Sequence, residues 1–511
     1  MARQIDDNAR RTLVAHLRRG PQTQAALTEA TGASAATTKR MLAELAGSVV
    51  AAGQTRKRRF ALRRTLRGAA ARFGLYAVDP RGRALAQGEL SLLEPEGSWC
   101  DLAALGWPVG HESDTGFWAG LPYPLYDMAP QGFLGRLFAQ REARELELPP
   151  DPRSWDDSAI VWALSRRGTD CSGHFIVGER ALDQWQHSVL AAQHPLAPGE
   201  ETTRYPELAQ AATAGGAVGS SAAGEFPKFT ALRELAGGEP GHVIVKFSGD
   251  TAAGGAVQRW ADLLVCEHLA LEHIALLPAG QPAPGAPLLR AARARLVSAQ
   301  GRRFLEVERF DRHGLFGRSP MLSLQAASDH LLALTDTDWP THAAGLHALG
   351  LLSESDVAAV QQLWWFGRLI ANTDMHLGNL SLIPLDAAPA DRSMTPTERD
   401  AERNTESAEG ASRARAPLRP RLALAPVYDM LPMAFAPLPG GEVPGAPAGA
   451  LAGAIWQPPL PRPEHRAAWL AAAPVALAFW KQAAEDRRVS AGFAQICFAA
   501  GQALERAMQI A

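Results

Sequence analysis

An aspartate and an asparagine separated by four residues form the most chemically suggestive pattern in the chain. They are Asp374 and Asn379 in the segment NTDMHLGN at 372–379, and Asp429 follows in the segment PVYDMLP at 426–432. In kinase-type phosphoryl transfer one aspartate accepts the proton of the attacking hydroxyl, an asparagine follows after four residues, and a later aspartate completes the magnesium site. Asp374 and Asn379 have this spacing, and Asp429 is available as the third member. The pattern predicts a phosphoryl-transfer site.

A glycine-rich segment and a lysine lie upstream in the order that such a site needs. The segment is GGAVGSSAAGEFPKFT at 215–230, which contains Lys228, and a strand-like run at 242–247 then carries Lys246. Small residues allow backbone amides to approach phosphate oxygens, although the Gly-Lys-Ser/Thr of a Walker A loop is absent. In kinases a lysine on such a strand contacts nucleotide phosphates and pairs with a carboxylate on a helix. The order therefore favours a kinase-type small lobe.

Two further elements belong to this predicted lobe. A helix from about Val257 to Ile274 offers two candidates for the paired carboxylate, Asp262 and Glu267, and the sequence does not separate them. The alternating run at 304–312 predicts an inner strand followed by a linker, the position of a hinge that reads adenine through backbone groups. An ordinary strand with salt-bridged ends is the alternative for this run.

Bulk properties indicate a soluble globular protein of more than one domain. The chain has 511 residues, of which 47% are hydrophobic and 20% charged, and it is too long for one core. The N-terminus has no apolar core of a secretory signal, and the longest apolar stretch, 467–480, is too short to span a bilayer and contains Pro474. The cysteines are too scattered to favour a zinc site or a disulfide framework: Cys100, Cys171, Cys266 and Cys497. We expect two or three domains, no membrane partner and a reducing cytoplasm as the location.

The net charge of −2 conceals a strong asymmetry along the chain. Residues 1–70 hold 14 Lys/Arg and 4 Asp/Glu, a net of +10, whereas the remainder holds 37 and 49, a net of −12. Such asymmetry is typical of a segment that faces nucleic acid. Two short capped helices with a turn at Gly32 predict a helix-turn-helix here. A hairpin of 49–52 with 60–62 then completes the outline of a winged helix-turn-helix.

The residues predicted to contact DNA lie on the second helix, at its N-terminal cap and in the turn of the hairpin. Met41, Leu42 and Leu45 have the spacing of the buried side of that helix, which leaves its polar residues to face a groove. Base-edge contacts from Thr37 or Arg40 would give specificity, whereas the basic run would bind phosphates in a salt-sensitive way. The predicted DNA-contacting residues are Ser34, Thr37, Lys39, Arg40, Arg56, Lys57, Arg58 and Arg59. A protein-contact module with a solvated basic face is the alternative.

The kinase-type motifs occur in the order found in HipA-family serine/threonine kinase toxins, and the chain resembles that family over roughly residues 72–511. The motifs are SAAG at 221–224 with Lys228, VERFDR at 307–312, NTDMHLGN at 372–379 and PVYDMLP at 426–432. With a helix-turn-helix in front, the chain is most similar to the YjjJ-type branch. The resemblance implies an α+β fold, namely a protein-kinase-like (HipA-like) two-lobed fold preceded by a winged helix-turn-helix domain.

The resemblance also implies roles for the charged residues. It implies that Asp374 is the catalytic base, that Asn379 and Asp429 hold Mg²⁺, and that Lys246 contacts the ATP phosphates. His376 is a second candidate base, and we interpret it instead as a structural hydrogen-bonding residue of the loop. The implied cofactors are ATP and Mg²⁺.

The resemblance further implies which residues bind adenine and which serine of the glycine-rich loop is modified. Backbone groups of Glu308 and Phe310 bind adenine, with Asp311 near the ribose. Ser221 falls where the family carries an autophosphorylated, inactivating serine in a mobile glycine-rich loop, and Ser220 is an adjacent alternative. The implied ATP-binding residues are Lys246, Glu308, Phe310, Asp311, Ser221, Gly224 and Lys228.

The predicted domain organisation contains one large insert. The predicted regions are a winged helix-turn-helix DNA-binding domain at 1–70, a HipA-like N-terminal region with the kinase small lobe at 72–312, and a mostly helical large lobe at 313–511. Within the large lobe, 386–420 holds 13 charged residues and no aromatic residue, so it predicts a disordered insert. Because the insert separates the two metal ligands, strands at 380–383 and 422–425 must bring them together.

Two classes of function remain open from the sequence. The first is a cytoplasmic serine/threonine kinase toxin of a type II toxin-antitoxin system, which phosphorylates a translation-related or other essential protein and inhibits growth. Its partners are ATP, the protein substrate, DNA through the N-terminal domain, and an antitoxin protein. The second is a DNA-binding transcriptional regulator whose kinase-like body is catalytically inactive and senses nucleotide. The intact Asp374, Asn379, Asp429 and Lys246 favour the kinase.

Overall fold

The N-terminal domain combines short helices with a small antiparallel sheet. It belongs to a computed structural model that describes residues 7–54, 57–191, 194–214, 226–280, 289–332, 334–387, 421–438, 441–444 and 456–510. The elements of the domain are α1 (Asp7–Leu17), β1 (Gln22–Thr23), α2 (Gln24–Thr31), α3 (Ala35–Glu44), β2 (Val49–Ala52) and β3 (Arg59–Leu62). The predicted helix pair and hairpin are both present, with β2 and β3 paired antiparallel. Helix α1 and strand β1 have no counterpart in the sequence prediction.

Side-chain caps set the ends of the helix pair. Thr23 Oγ1 accepts a hydrogen bond from Ala26 N at 3.2 Å, and Ser34 Oγ accepts one from Thr37 N at 3.2 Å. Gly32 ends α2 with a φ of 62°, a left-handed conformation that glycine adopts without steric cost. Because these signals are local in the chain, the sequence is sufficient to predict the turn.

The middle region is a mixed sheet-and-helix unit onto which the N-terminal domain docks. Its elements are β4 (Thr65–Leu66), β5 (Ala69–Ala70), β6 (Arg72–Val78), β7 (Ala84–Leu92), β8 (Ser98–Trp99), β9 (Phe117–Trp118), α4 (Tyr123–Met128), α5 (Gly132–Leu146), α6 (Asp157–Arg167), β10 (Phe175–Val177) and α7 (Glu179–Leu190). The main sheet has the order β10-β6-β7-β8-β9. Val50 and Ala61 of the N-terminal domain pack with Leu93 and Phe117 of this region, so the hairpin of the N-terminal domain is fixed to the middle region.

The small lobe is an antiparallel sheet with a helix on each side. Its elements are α8 (Glu201–Thr213), β11 (Lys228–Glu234), β12 (Pro240–Phe247), α9 (Gly255–Ile274), β13 (Ala294–Ala299) and β14 (Arg302–Glu308), and the strand order is β11-β12-β14-β13. Along β12, Val243, Val245 and Phe247 are buried in the apolar cluster that contains Tyr205 of α8. Because side chains alternate along a strand, Lys246 is directed to the opposite face.

The large lobe is mostly helical, as predicted. Its elements are β15 (Arg312–His313), β16 (Gly317–Arg318), β17 (Leu322–Ser323), α10 (Leu324–Leu331), α11 (Trp339–Ala348), α12 (Glu354–Leu369), β18 (Ser381–Pro384), β19 (Leu422–Leu424), α13 (Arg466–Glu485) and α14 (Ala491–Met508). Trp480 of α13 is fully buried, and its Nε1 donates to Leu369 O of α12 at 2.9 Å. In the described ranges, every helix is too short or too polar to cross a membrane. The combination of antiparallel sheets and packed helices confirms the expected α+β class.

Strands β18 and β19 close the base of the predicted insert. They pair antiparallel, with Leu382 opposite Leu424 and Pro384 opposite Leu422, as the sequence analysis required. The predicted start of disorder at 386 is too early, because Ala387 is buried and the carbonyl of Asp386 packs closely against Gly106 of the middle region. The rest of the insert, 388–420, lies outside the described residues, so its disorder stays a prediction.

Candidate active site

Lys246 lies between two carboxylates at the end of β12. Its Nζ donates to Glu267 Oε1 of α9 at 2.6 Å and forms an ion pair with Asp429. Lys246 is 6% exposed and Glu267 is fully buried. Among the two helix carboxylates that the sequence left open, Glu267 is therefore the partner of Lys246.

Asp262, the other candidate, stabilises the start of a different helix. Its Oδ1 accepts a hydrogen bond from Ser490 N at 2.9 Å, and its Oδ2 accepts one from Ser490 Oγ at 2.6 Å. Ser490 is the N-terminal cap of α14, where a negative charge is favourable. Asp262 thus has a structural role on the side of α9 that faces the large lobe.

Burial and opposite charge compete in this cluster. Burial acts against the charged form of Lys246, but Asp429 and Glu267 outweigh it and raise the pKa of the lysine. Burial also acts against the carboxylate form of Asp429, but Lys246, Lys228 and His376 outweigh it and lower its pKa. For Glu267 burial dominates, so its pKa is raised despite Lys246. Lys246 and Asp429 are therefore charged at neutral pH, which suits contact with phosphates and a cation.

The loop that carries Asp374 is held by two asparagine side chains. Asn372 is 3% exposed, and its Oδ1 accepts a hydrogen bond from Asp374 N at 3.0 Å. Asn379 Nδ2 donates to Asp374 O at 2.8 Å. Such side-chain bonds satisfy the backbone of an irregular segment. The backbone of Asp374 is thus fixed on both sides while the residue itself is exposed.

Further contacts join this loop to the segment that carries Asp429. Asn372 Nδ2 donates to Asp429 O at 3.3 Å. The hydroxyl of Tyr428 lies 2.6 Å from Ser381 Oγ and donates to Gly378 O at 3.3 Å. Asp429 has a φ of 53°, a left-handed conformation that aspartate tolerates better than most residues. The segments that carry the two predicted metal ligands therefore lie side by side, although the insert separates them in sequence.

The role of Asn372 was missed by the sequence analysis. The residue lies within the quoted motif, two positions before Asp374. Its side chain binds the backbone of both Asp374 and Asp429, so it couples the two halves of the candidate site. The available signal was a single amide residue at the start of the motif, which is too common to indicate a role by itself.

One amide oxygen and one carboxylate at this place fit Mg²⁺. The carboxamide nitrogen of Asn379 is used by Asp374 O, which leaves Oδ1 for a cation, and the pKa of Asp429 is lowered, mainly by Lys246 acting against burial. Mg²⁺ binds oxygen ligands and is usually held by one or two carboxylates together with substrate phosphates. Across the described ranges, no group of three or more His, Cys, Asp and Glu residues is placed to hold a metal ion. The donor set therefore fits a cation shared with a nucleotide.

A cavity of about 500 Å³ connects this cluster to the predicted hinge. Its lining includes the charged residues Lys228, Lys246, Glu267 and Asp429 and the hinge segment 308–311. Apolar residues of the lining include Ile244, Ala292, Val307, Met321 and Tyr428. A concave site with apolar walls and convergent polar groups is typical of a small-molecule or cofactor pocket.

Some backbone N–H groups of the hinge already donate hydrogen bonds, and one does not. Glu308 N donates to Arg293 O at 2.9 Å, and Arg309 N donates to His242 O at 2.9 Å. Within the described part of the chain, Phe310 N has no hydrogen-bond partner. The backbone N–H of Phe310 is therefore available to donate to a ligand at this edge. The N–H of Glu308 is engaged, so only its carbonyl can accept.

The Asp311 carboxylate is engaged by neighbouring charges and by the middle region. It accepts hydrogen bonds from Arg312 Nη1 at 2.6 Å, from Gly173 N at 3.0 Å and from Arg309 Nε at 3.1 Å. Asp170 of the middle region binds Arg309 at 2.8 Å and Arg312 at 3.1 Å. Because these partners occupy the carboxylate, it clamps the hinge to the middle region. Its proximity to a ribose stays a prediction.

This engaged carboxylate predicts a loss of stability in acid. Burial opposes the charge, but Arg309 and Arg312 outweigh it and lower the pKa of Asp311 to about 2. The unfolded chain binds the proton near pH 4, so the stabilisation is complete above about pH 4 and is lost as the pH falls through about 2. Asp311→Asn will lower the free energy of unfolding at pH 7 by about 2 kcal/mol and flatten its acid limb in urea titrations. An unchanged acid limb contradicts this assignment.

A matched substitution separates this effect from a general effect of removing a carboxylate. Asp114 forms an ion pair with Lys57 at 2.7 Å, and the Lys57 side chain is 72% exposed. Solvent screens such pairs, so Asp114→Asn should change the free energy of unfolding little. A loss as large as that of Asp311→Asn would remove the special role of the buried network.

The predicted glycine-rich loop is described only at its end. Three of the predicted residues lie outside the described ranges, and their roles stay predictions: Ser220, Ser221 and Gly224. Lys228 begins β11, opposite Lys246 in the strand register, and lines the cavity. Burial acts to raise the pKa of Asp429, and Lys228 helps Lys246 to lower it. Two cations therefore lie at the same end of the cavity.

The predicted DNA-contacting residues differ in their surroundings. The exposed basic residues are Lys39, Lys57, Arg58 and Arg59. Lys57 already pairs with Asp114, and the hydroxyl of Thr37 lies 2.9 Å from Ser34 Oγ. Arg40 is half-buried, and Arg56 lies outside the described residues. DNA contact by these residues stays a prediction.

The antiparallel small lobe, the hinge and the helical large lobe define a two-lobed, kinase-like α+β protein. A family model described as a HipA-like C-terminal domain matches residues 220–397, and one described as the middle domain of a YjjJ-like toxin matches residues 69–186. The protein Toxin YjjJ of Escherichia coli (strain K12) is 34% identical over 482 residues, which cover 94% of this chain and 94% of that protein. The chain therefore belongs to the YjjJ family of HipA-like toxins.

Two solved structures are similar at low sequence identity. The HipA, HipB and operator DNA complex of Shewanella oneidensis MR-1 contains a chain that is 14% identical, with a TM-score of 0.46, covering 86% of this chain and 96% of that one. The proinflammatory kinase CtkA of Helicobacter pylori is 10% identical, with a TM-score of 0.32, covering 55% of this chain and 94% of that one.

Proposed function

We propose that the chain is a serine/threonine kinase toxin of a type II toxin-antitoxin system. It transfers the γ-phosphate of ATP to a Ser or Thr of a cellular protein, translation-related or otherwise essential, and so inhibits growth. The observation that carries this proposal is the link made by Asn372, which ties the Asp374 loop to Asp429 beside Lys246. This link gathers a base, a metal-binding carboxylate and a phosphate-binding cation in one place.

The proposed chemistry follows from the charges of the site. Lys246 and Lys228 attract the phosphates at the inner end of the cavity, where a developing negative charge is stabilised by fixed cations. Asp374 accepts the proton of the substrate hydroxyl, on a backbone held by Asn372 and Asn379. Glu267 keeps Lys246 in place by a buried ion pair. The Ser or Thr hydroxyl reaches Asp374 from solvent, since that residue is exposed.

The proposed cofactor is Mg²⁺, held by Asn379 Oδ1 and the Asp429 carboxylate. When bound, it neutralises charge on the nucleotide phosphates and orients them. Lys246 forms an ion pair with the Asp429 carboxylate beside this site.

We also propose inactivating autophosphorylation at Ser221. A phosphate on this residue would add a charge of about −1.5 to −2 near the nucleotide loop. Mass spectrometry of the purified protein after incubation with ATP tests this assignment, and a phosphate on Ser220 in place of Ser221 would correct it. The reaction needs ATP, so the cytoplasm is the proposed location, where an antitoxin protein can restrain the toxin.

Purified full-length protein and labelled ATP with Mg²⁺ provide the test of the kinase proposal. Incorporation of label into the chain or into proteins of a cell extract is expected, together with growth arrest when the chain is expressed. Neither outcome depends on knowing the substrate in advance. No labelling and no arrest would favour the second reading, a DNA-binding regulator with an inactive nucleotide-sensing body.

DNA binding through the N-terminal domain is a separate proposal. It is supported by exposed Lys39 on α3 and by exposed Arg58 and Arg59 at the hairpin, within a segment of net charge +10. These groups fit a helix in a groove and a hairpin on the phosphate backbone. The fusion of this domain to the toxin body suggests regulation of its own promoter.

Arg59→Ala will weaken binding to all DNA sequences and lower the salt dependence of binding. Loss of one phosphate contact reduces the slope of log K against log salt by about 0.9. Titration of a fluorescent promoter duplex and of a random duplex at several salt concentrations measures both quantities. Lys481→Ala, which removes an exposed lysine of α13, is the control and should change neither. An unchanged slope for Arg59→Ala removes the proposed phosphate contact.

A further inference from the structure

The middle region also lines the cavity that connects the charged cluster to the hinge. Helix α5 contributes Leu134, Phe138 and Arg141, which lie one and two helical turns apart and therefore share one face of the helix. Leu137 lies beside this face of α5, three residues from Leu134 and four from Arg141, and packs against the small-lobe cluster that contains Tyr205. Helix α5 therefore packs against the small lobe and also lines the cavity.

A buried charge network fixes this arrangement. Asp170 pairs with Arg309 and Arg312, and the same two arginines bind Asp311 in the hinge. The side chains of Arg309 and Arg312 are 9% and 2% exposed. Asp170 is the partner that the middle region supplies to these two buried arginines, and breaking such buried ion pairs is costly. The network therefore fixes the hinge to the segment after α6, and Arg167 at the end of α6 binds Glu142 of α5 at 3.1 Å.

We propose that α5 forms a wall of the nucleotide site and that Leu134 contacts the nucleoside part of bound ATP. Leu134 is half-buried and apolar, and it lines the same cavity as the hinge backbone at Phe310. Lys228 and Lys246 of the same lining are the cations available to the phosphates, and an apolar side chain such as Leu134 suits the nucleoside part. The middle region is then part of the nucleotide site and a determinant of its specificity.

This proposal rests on the proposed kinase function, and variants of Leu134 in the full-length chain test it. Leu134→Trp fills the cavity, so we expect the Kd for ATP with Mg²⁺ and the KM for ATP to rise about tenfold. The kcat at saturating ATP should change less than about twofold, because the phosphate end of the site is intact. Leu134→Met, which conserves volume, should retain wild-type affinity.

One control and one further variant separate loss of ATP binding from loss of stability. Gln140→Trp introduces the same side chain at an exposed position of α5 that does not line the cavity, and it should leave the Kd unchanged. If Leu134→Trp lowers the Tm by several degrees, Leu134→Ala is used in its place to test the contact. We then expect the Kd for ATP to rise about fivefold, because the apolar contact is lost.

Wild-type affinity in the decisive Leu134 variant, beside ATP binding by the wild type, overturns the wall proposal and leaves the kinase proposal standing. A wild-type chain that binds no ATP removes both. A rise in Kd that Gln140→Trp reproduces also overturns the wall proposal, because the effect is then not specific to the cavity face of α5.

Discussion

Replacing Asp374 with asparagine will slow phosphoryl transfer by about a thousandfold, the range expected when a general base is removed. The affinity for ATP should change less than about twofold, because Asp374 acts on the attacking hydroxyl and the nucleotide is held by other groups. The backbone of the loop should persist, since Asn372 and Asn379 bind the main chain of residue 374 and not its carboxylate. Labelled ATP measures the transfer, and equilibrium titration measures the affinity.

The control for this variant is the same chemical change at a nearby acid. Asp338 caps α11 and accepts a hydrogen bond from Thr341 N at 2.9 Å, and asparagine caps helices about as well as aspartate. Asp338→Asn should therefore retain both transfer and stability. Equal transfer by the wild type and Asp374→Asn contradicts the role of Asp374 as base. Negligible transfer by both favours the DNA-binding regulator with an inactive body.

The sequence predicts much of this site because its signals are local. The four-residue interval between Asp374 and Asn379 is a property of one loop, and Lys246 lies near the end of a short apolar run that predicts a strand. The pairing of β18 with β19 follows from two apolar runs on either side of a charged insert. Each of these predictions needs only the pattern of neighbouring residues.

The parts that escape the sequence depend on contacts between distant segments. Asp262 and Glu267 are both buried acids of one helix, and only the positions of Ser490 and Lys246 separate a helix cap from an ion pair. Likewise, nothing near Asp311 indicates that Asp170, 141 positions earlier in sequence, shares its two arginines. Such choices are made by tertiary packing, which single-sequence patterns do not contain.

Replacing Lys246 with methionine will destabilise the protein and abolish tight binding of ATP. The substitution keeps the apolar stem but leaves Glu267, fully buried, and Asp429 without their cation. Breaking a buried pair in this way costs about 3–5 kcal/mol. The loss should be larger at pH 8 than at pH 5. Burial raises the pKa of Glu267 and Lys246 opposes that rise, so without Lys246 the buried carboxyl takes up a proton more readily as the pH falls, which removes its unpaired charge. Urea denaturation at the two pH values measures this difference.

A second substitution distinguishes charge from packing as the cause. In the double variant Lys246→Met with Glu267→Gln, the unpaired buried charge is gone, so much of the lost free energy of unfolding should return while ATP binding stays lost. Asp262→Asn, an acid-to-amide change on the same helix, should cost only about 1 kcal/mol through the cap at Ser490 and should leave ATP affinity unchanged. No recovery in the double variant would mean that the stem of Lys246, and not its charge, stabilises the small lobe. Recovery of stability without recovery of binding would identify Lys246 as a residue kept for phosphate contact, with Glu267 as the buried charge that positions it.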